Sequence, residues 1–232
     1  MTSWALSPVE IEALKLSLWV SFWAVVGSLP LGVLAAWLLA RLDFPGKSLL
    51  DGLIHLPLVL PPVVIGYLLL VGFGRRGILG AWLHDLAGIT LAFNWKGAAV
   101  AAAVMAFPLM VRAVRLSIEG VDRGVEAAAR TLGAGPGRVF FTVTLPLVIP
   151  GILTGLILAF ARSLGEFGAT ITFVSNIKGE TQTLPLALYT LTQVPGGEVG
   201  AMRLCLISVV IAMAALVASE SLARRFAACI KG

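Results

Sequence analysis

The chain has 232 residues, of which 59% are hydrophobic and 12% are charged, with 17 Lys and Arg against 12 Asp and Glu. Because a soluble domain is about 45–50% apolar and about 25% charged, this composition excludes a soluble single domain, a disordered tail and a fibrous repeat. At ~20 apolar residues per membrane crossing, the length accommodates about five or six helices. The positive excess is more typical of a bias that orients a membrane protein than of nucleic-acid binding.

Five uncharged runs predict five membrane-spanning helices. The run at 16–40 has 25 residues, and the runs at 52–74 and 139–161 have 23 each. A spanning helix needs ~18 residues, so these three suffice. The runs at 97–111 and 204–219 are shorter, but Arg and Lys at their ends can reach the headgroups and lengthen the helix. The sequence therefore predicts an all-α polytopic membrane protein with about five transmembrane helices, at about 14–40, 50–73, 97–118, 140–163 and 201–222.

Prolines in the second of these spans favour a bend. Pro61 and Pro62 are adjacent and lie close to Gly66, and each proline removes a backbone donor and kinks a helix. The alternative is that membrane helices simply tolerate proline more than soluble helices do.

Two segments between the spans are too polar or too short to cross a membrane. Residues 165–197 include Glu166, six Thr and one Ser, so we expect a loop with a short interfacial or re-entrant helix near Leu184–Leu191. The sequence leaves open whether a sixth membrane segment lies within this stretch. Residues 75–96 predict a loop with one short amphipathic helix around Ile78–Leu86.

The distribution of basic residues predicts the orientation. One set of alternate loops holds ten Lys and Arg and the other set holds seven, and five of the ten lie between the uncharged runs at 97–111 and 139–161. By the positive-inside rule the first set is cytoplasmic, which places the N-terminus outside and the C-terminus inside. Glu10 and Glu12 precede the first span instead of a basic region, so we expect that span to be retained and not cleaved as a signal peptide.

The inside loop at about 119–139 predicts a helix–turn–helix. Val125–Leu132 is a short run of helix formers whose alanines give a nearly smooth face. Gly133 ends this helix, and a second helix begins near Arg138 after a Gly-Pro-Gly turn. Small residues let another protein approach closely, and the arginines can pair with carboxylates on that partner. The alternative is a basic loop that only fixes the topology.

This segment resembles the EAA loop of binding-protein-dependent ABC importers, whose pattern is Glu-Ala-Ala, three residues, Gly, nine residues, Ile, one residue, Leu-Pro. Here Gly133 is followed at the matching offsets by Val143, Leu145 and Pro146. The acidic position of the pattern holds Ala127, and Glu126 is displaced by one residue. The residues that the resemblance assigns to coupling with an ATPase are Glu126, Ala127, Ala128, Ala129, Arg130, Gly133, Leu145 and Pro146. We call residues 119–139 the coupling loop.

The runs ARTLGAGPGRVFFTVTLPL and FARSLGEFGATITFVSNIKGETQTLPLALYT are similar to the permease subunit of molybdate ABC transporters, and the similarity covers nearly the whole chain. It implies a type I ABC importer permease fold in one transmembrane domain, residues 1–232, set in the lipid bilayer of the inner (plasma) membrane. The implied partners are a second permease copy, two cytoplasmic ATPase subunits and a periplasmic oxyanion-binding protein, with no nucleic acid. ATP and Mg²⁺ belong to the ATPase, and we expect no cofactor or metal on this chain.

Glu166, which follows the fourth span, is the candidate acidic residue near membrane depth. The alternative to a functional role is a helix-end carboxylate paired with Arg162. A carboxylate repels a dianionic oxyanion, more strongly in low dielectric, so we expect Glu166 to fix a gate by bonding to Arg, Ser or backbone donors. The predicted pathway or gate residues are Ser163, Gly165, Glu166, Gly168, Thr170 and Thr172.

The function that the resemblance implies is ATP-driven uptake of molybdate by alternating access, with hydrolysis in a separate subunit. The same machine carrying sulfate or thiosulfate is the nearest alternative. A stand-alone secondary transporter or channel would need an ion-coupling site at mid-membrane, whereas Glu166 lies at a helix end. An intramembrane enzyme is disfavoured because the sequence offers neither a pair of carboxylates nor a Ser/His/Asp arrangement.

Overall fold

The structure is a computed structural model that describes residues 6–231, with side chains described except at 219, 220 and 222–231. This part of the chain is all-helical and contains no strand. Its elements are α1 (Pro8–Arg41), α2 (Lys47–Val59), α3 (Pro62–Phe73), α4 (Ile78–Ala87), α5 (Trp95–Glu119), α6 (Arg123–Thr131), α7 (Pro136–Val139), a π-helical turn (Phe140–Thr144), α8 (Leu145–Leu164), α9 (Gly168–Val174), α10 (Leu184–Thr192) and α11 (Glu198–Lys231).

Four helical stretches of the described chain are long and apolar enough to cross a membrane: Pro8–Arg41, Trp95–Glu119, Pro136–Leu164 and Glu198–Ala218. A fifth span results if α2 and α3, between which the chain bends by 115°, count as one broken crossing. The bend lies at Pro61–Pro62, where the prolines predict it. Pro62 restricts the residue before it to extended backbone, and Pro61 has ψ of 134°. Residues 50–73 are therefore two short helices and not one continuous span.

The first helix begins six residues before the start of the predicted span because Ser7 and Glu10 cap it reciprocally. The Glu10 N–H donates to Ser7 Oγ at 3.3 Å, and the Ser7 N–H donates to Glu10 Oε2 at 2.6 Å, which forms a capping box. The Glu10 carboxylate is buried and also pairs with Arg203 Nη2 on α11 at 2.8 Å. This pair joins the first helix to the last one.

Helix α5 lies at the centre, and α1 and α8 pack against it through small residues. A Cβ added at Gly151 would lie 2.1 Å from the Ser117 Cβ, and one at Gly155 would lie 3.2 Å from the Met110 carbonyl oxygen. Such close contacts between helices are typical of membrane proteins, where dispersion and not water expulsion holds helices together.

Residues 165–197 form two short helices instead of a sixth span. Helix α10 confirms the helix predicted near Leu184–Leu191, and α4 confirms the one predicted near Ile78–Leu86. Helix α9 was not predicted. It packs on α3, where a Cβ at Gly66 would lie 2.5 Å from the Ala169 carbonyl oxygen. With seven and nine residues, α9 and α10 are too short to cross a bilayer.

Candidate functional site

The coupling loop forms the predicted helix–turn–helix. Asp122 caps α6, since its Oδ1 accepts from the Gly124 N–H at 2.7 Å. Gly133 follows the helix with φ of +84°, a left-handed conformation that glycine adopts without strain. Pro136 then begins α7, where its missing N–H costs nothing at the first turn. Helix α6 starts at Arg123, two residues before the predicted Val125.

The outer surface of α6 is exposed, including apolar side chains that a soluble surface rarely presents. None of its residues is buried. Leu132 is 88% exposed and Phe141, in the π-helical turn, is 67% exposed. Ala127 and Ala128 are also exposed, while Ala129 is half-buried. Small alanines beside large exposed apolar groups are typical of a surface that another protein covers. Sequence reasoning identified the alanines but missed Leu132.

Glu126 faces inward from this loop and ties it to two membrane helices. Its Oε1 accepts from Arg41 Nη2 at 2.7 Å and from Thr144 Oγ1 at 2.7 Å. The side chains of Arg41 and Glu126 are only 11% and 12% exposed. A carboxylate this buried needs such partners to offset lost hydration. The contacts join α6 to the last residue of α1 and to the turn that leads into α8.

The π-helical turn comes directly before Leu145 and Pro146. The Leu145 N–H donates to the Phe140 carbonyl, five residues earlier, in place of the usual α-helical bond. Pro146 lacks an N–H and could not continue an α-helical ladder through this turn. Leu145 is half-buried and Pro146 is exposed. The two motif residues therefore begin α8 immediately after a widened turn that Glu126 holds through Thr144.

The carboxylate of Glu166 is buried at the corner between α8 and α9, with its side chain 2% exposed. Its Oε2 pairs with Arg162 Nη1 at 2.6 Å, and its Oε1 accepts from the Ala169 N–H at 2.9 Å. Both oxygens thus have partners, and the pair with Arg162 is the one that the alternative to a functional role predicts, so the gate role of Glu166 stays a prediction. The pair is neutral overall, which removes most of the repulsion that a lone carboxylate would exert on an anion.

The other predicted gate residues differ in burial and in whether their hydroxyl groups already have a hydrogen-bond partner. Ser163 Oγ is buried beside this corner and has no hydrogen-bond partner among the described residues. Thr172 Oγ1 donates to the Gly168 carbonyl at 2.8 Å, and Thr170 is 1% exposed within the core. Gly168 packs against Pro62, and Gly165 is exposed. Ser163 is therefore a free donor, whereas the Thr172 hydroxyl is already engaged.

A polar network that the sequence did not predict holds the loop between α9 and α10. Ser175 has φ of +66°, which costs energy for any residue with a side chain. Thr181 Oγ1 accepts from the Ile177 N–H at 2.9 Å and donates to the Ser175 carbonyl at 3.1 Å. The Leu184 N–H donates to Ser17 Oγ of α1 at 2.6 Å. The Ser and Thr content of this stretch indicates that the loop is polar, but it does not indicate which groups these side chains bond to.

Among the residues whose side chains the structure describes, no group of three or more His, Cys, Asp or Glu could hold a metal ion. The site residues instead supply ion pairs, hydroxyls and an exposed helical surface. Such groups can dock a protein and move helices, and they offer no nucleophile with an adjacent base for chemistry on a bond.

The comparisons with known proteins give a consistent result. The family described as "Binding-protein-dependent transport system inner membrane component" matches residues 28–227. The chain is 67% identical over 219 residues to the "Molybdenum transport system permease protein ModB" of Escherichia coli (strain K12), covering 94% of this chain and 96% of that protein. The Haemophilus influenzae protein of the same name is 59% identical over 217 residues, covering 94% and 95%.

A solved structure shares the fold. It is described as a bacterial ABC transporter involved in the import of the acidic polysaccharide alginate, and it matches with a TM-score of 0.74. The match covers 95% of this chain and 80% of that chain at 16% sequence identity. At that identity the likeness concerns the fold alone.

Proposed function

The chain belongs to the family of binding-protein-dependent transport system inner membrane components, and from that premise we propose that it is the membrane-spanning permease subunit of an ABC importer for molybdate. The observation that carries the cargo is the 67% identity to a molybdenum transport permease across 94% of the chain. The chain is a multi-pass membrane protein and not an enzyme in its own right. The exposed helix–turn–helix supports a role that depends on a separate motor.

The proposed assembly contains two copies of this chain, two cytoplasmic ATPase subunits that use ATP and Mg²⁺, and a periplasmic oxyanion-binding protein. The chain lies in the inner membrane with its N-terminus outside and its C-terminus inside. The basic residues of the coupling loop support this orientation by the positive-inside rule. The exposed face of α6, with Leu132 and the small alanines, is the surface offered to the ATPase.

In the proposed mechanism, α8 carries the motion of the coupling loop across the membrane. A shift of α6 is passed through Glu126 to Arg41 and Thr144, and so to the ends of α1 and α8. Helix α8 has 20 residues, which at ~1.5 Å each makes it ~30 Å long, about the thickness of the hydrocarbon core. Rigid helices that repack at their ends are an established route for such coupling.

The far end of α8 holds the proposed gate. Arg162 lies on α8, and its partner Glu166 caps the first turn of α9. A displacement of α8 therefore moves α9 against α3, where Gly66 leaves no spare space. Neutral donors such as the Ser163 hydroxyl suit a pathway that must release its anion, because a strong basic cage would trap it.

Uptake by the reconstituted complex tests this function. Liposomes that contain this chain with its ATPase are given the loaded binding protein and ATP, and we expect molybdate to accumulate only when all three proteins and ATP are present. Accumulation driven by this chain alone would establish a secondary transporter and refute the proposal. If sulfate accumulates with a sulfate-loaded binding protein and molybdate does not accumulate, the cargo assignment fails and the ABC assignment stands.

A further inference from the structure

A large cleft separates the inner half of α1 from the coupling loop. Its volume is about 840 Å³, and its walls come from α1, α6, α7 and the π-helical turn. Its apolar lining includes Pro30, Leu34 and Trp37 from α1 and Phe140 from the π-helical turn. Leu34 is 53% exposed, so this lining is open to its surroundings.

The mouth of the cleft is basic. Arg123 and Arg130 line it from α6, and both are exposed. Neither is in ion-pair contact with a carboxylate in the part of the chain that the structure describes. The carboxylates nearby are already engaged, since Glu126 is paired with Arg41 at 2.7 Å and Asp43 with Lys47 at 2.8 Å. The cleft lining therefore carries three arginines, Arg41, Arg123 and Arg130, against the single carboxylate of Glu126, and Arg123 also attracts the exposed Asp43 at longer range.

The depth of the cleft identifies the kind of ligand that fits it. Pro30 lies eleven residues before Arg41 on α1, which at ~1.5 Å per residue is ~16 Å, about half of the hydrocarbon core. An ATPase subunit in the cytoplasm can reach the arginines but cannot reach that depth. A molecule that fills both parts has an anionic group at the surface and long apolar chains below it.

We propose that this cleft binds one anionic phospholipid of the cytoplasmic leaflet, with its phosphate between Arg123 and Arg130 and its acyl chains along Pro30, Leu34 and Trp37. Basic pockets between membrane helices at the cytoplasmic surface are suited to such headgroups. The lipid braces α6 against α1; Ala127 lines the cleft, whereas the exposed Ala128 and Leu132 lie outside it. This inference rests on the proposed function in one respect, the placement of the coupling loop at the cytoplasmic surface.

Trp37 provides a direct readout of occupancy. The full-length chain in mixed micelles is titrated with phosphatidylglycerol or phosphatidylcholine, each carrying brominated acyl chains that quench tryptophan fluorescence on contact. Subtracting the signal of the W37F variant isolates Trp37 from the other tryptophans. We expect phosphatidylglycerol to quench Trp37 at a lower mole fraction than phosphatidylcholine does. Soluble glycerol phosphate should not displace it, because the acyl chains contribute most of the binding.

Charge-removal variants test the arginines. The double variant R123Q/R130Q should lower the preference for phosphatidylglycerol by about fivefold per arginine, as ~1 kcal/mol per basic residue at a membrane surface implies. The matched control R75Q/R76Q removes two exposed arginines from the turn between α3 and α4 and should leave the preference unchanged. The thermal melting curve of R123Q/R130Q shows whether the double variant is folded. As a separate check, raised salt should weaken the preference of the unmodified chain for phosphatidylglycerol.

Three results would overturn the inference. The first is equal quenching of Trp37 by the two lipids. The second is a preference that survives R123Q/R130Q. The third is loss of Trp37 quenching when the ATPase is added, which would assign the cleft to the ATPase. The titration requires neither transport nor ATP, so it can fail while molybdate uptake succeeds, and uptake can fail while the lipid preference is present.

Discussion

Replacing Glu126 tests whether the coupling loop acts through α1 and α8. Its carboxylate makes two hydrogen bonds of 2.7 Å, from Arg41 and from Thr144, in a site where it is 12% exposed. A hydrogen bond to a charged group stabilises by roughly 1.5–3 kcal/mol. Because Arg41 ends its helix and can turn toward the headgroups, we take the lower value for each bond. Together the two bonds stabilise the contact of the coupling loop with α1 and α8 by about 3 kcal/mol. At about 1.4 kcal/mol per factor of ten, this is a factor of about 100 in the equilibrium constant of that contact.

The assay measures molybdate taken up per ATP hydrolysed in the reconstituted complex. We expect E126A to lower this ratio by about 100-fold while ATP hydrolysis continues. E126Q keeps an acceptor for Thr144 and loses the charge that faces Arg41, so the ratio should fall by about tenfold. The control D43N removes a carboxylate from the same surface that is 95% exposed, and it should change little. A normal ratio for E126A in folded, inserted protein would refute the reasoning.

Three further substitutions follow from the geometry. G133D places a side chain at φ of +84°, so we expect inserted protein whose uptake is uncoupled from ATP hydrolysis; ATP-driven uptake at the normal rate would contradict this. E166Q removes the charge opposite Arg162 and should reduce uptake with little change in ATP hydrolysis, whereas unchanged uptake and coupling would exclude the gate role. G66A brings a Cβ within 2.5 Å of a backbone oxygen of α9, whereas G72A meets nothing within 4 Å. The first should lower stability by about 1–3 kcal/mol and the melting temperature accordingly, and equal melting of the two variants would contradict the packing.

The spans were predictable because their signal is local. An uncharged run of sufficient length identifies α1 and α8 wherever they pack, and α5 follows from a shorter run lengthened by basic residues at its ends. The turn of the coupling loop was also predictable, since Gly133 and Pro136 act through their own backbone conformation. The beginning of α1 was missed because its cap, Ser7 with Glu10, lies outside the apolar run.

Contacts between distant residues were not predictable. Glu126 and Arg41 are 85 residues apart, and Glu10 and Arg203 are 193 apart. Nothing local in the chain selects those partners among the many charged residues. Helix α9 was missed for a related reason, because seven residues are too few for a periodic signal. Its place depends on the close contact with Gly66 of α3, which only the folded chain reveals.

Two of the ion-paired carboxylates, Glu126 and Glu166, flank α8 and support the proposal that an external motor moves this helix. Glu126 is held just before α8 begins, and Glu166 just after it ends. Each is neutralised by an arginine, so neither presents a free negative charge to a dianion, and neither is available to bind a coupling cation. In the proposed mechanism the energy therefore enters as displacement of α8 and not as an ion gradient. In that mechanism the carboxylates act as mechanical links, and a separate ATPase supplies the displacement.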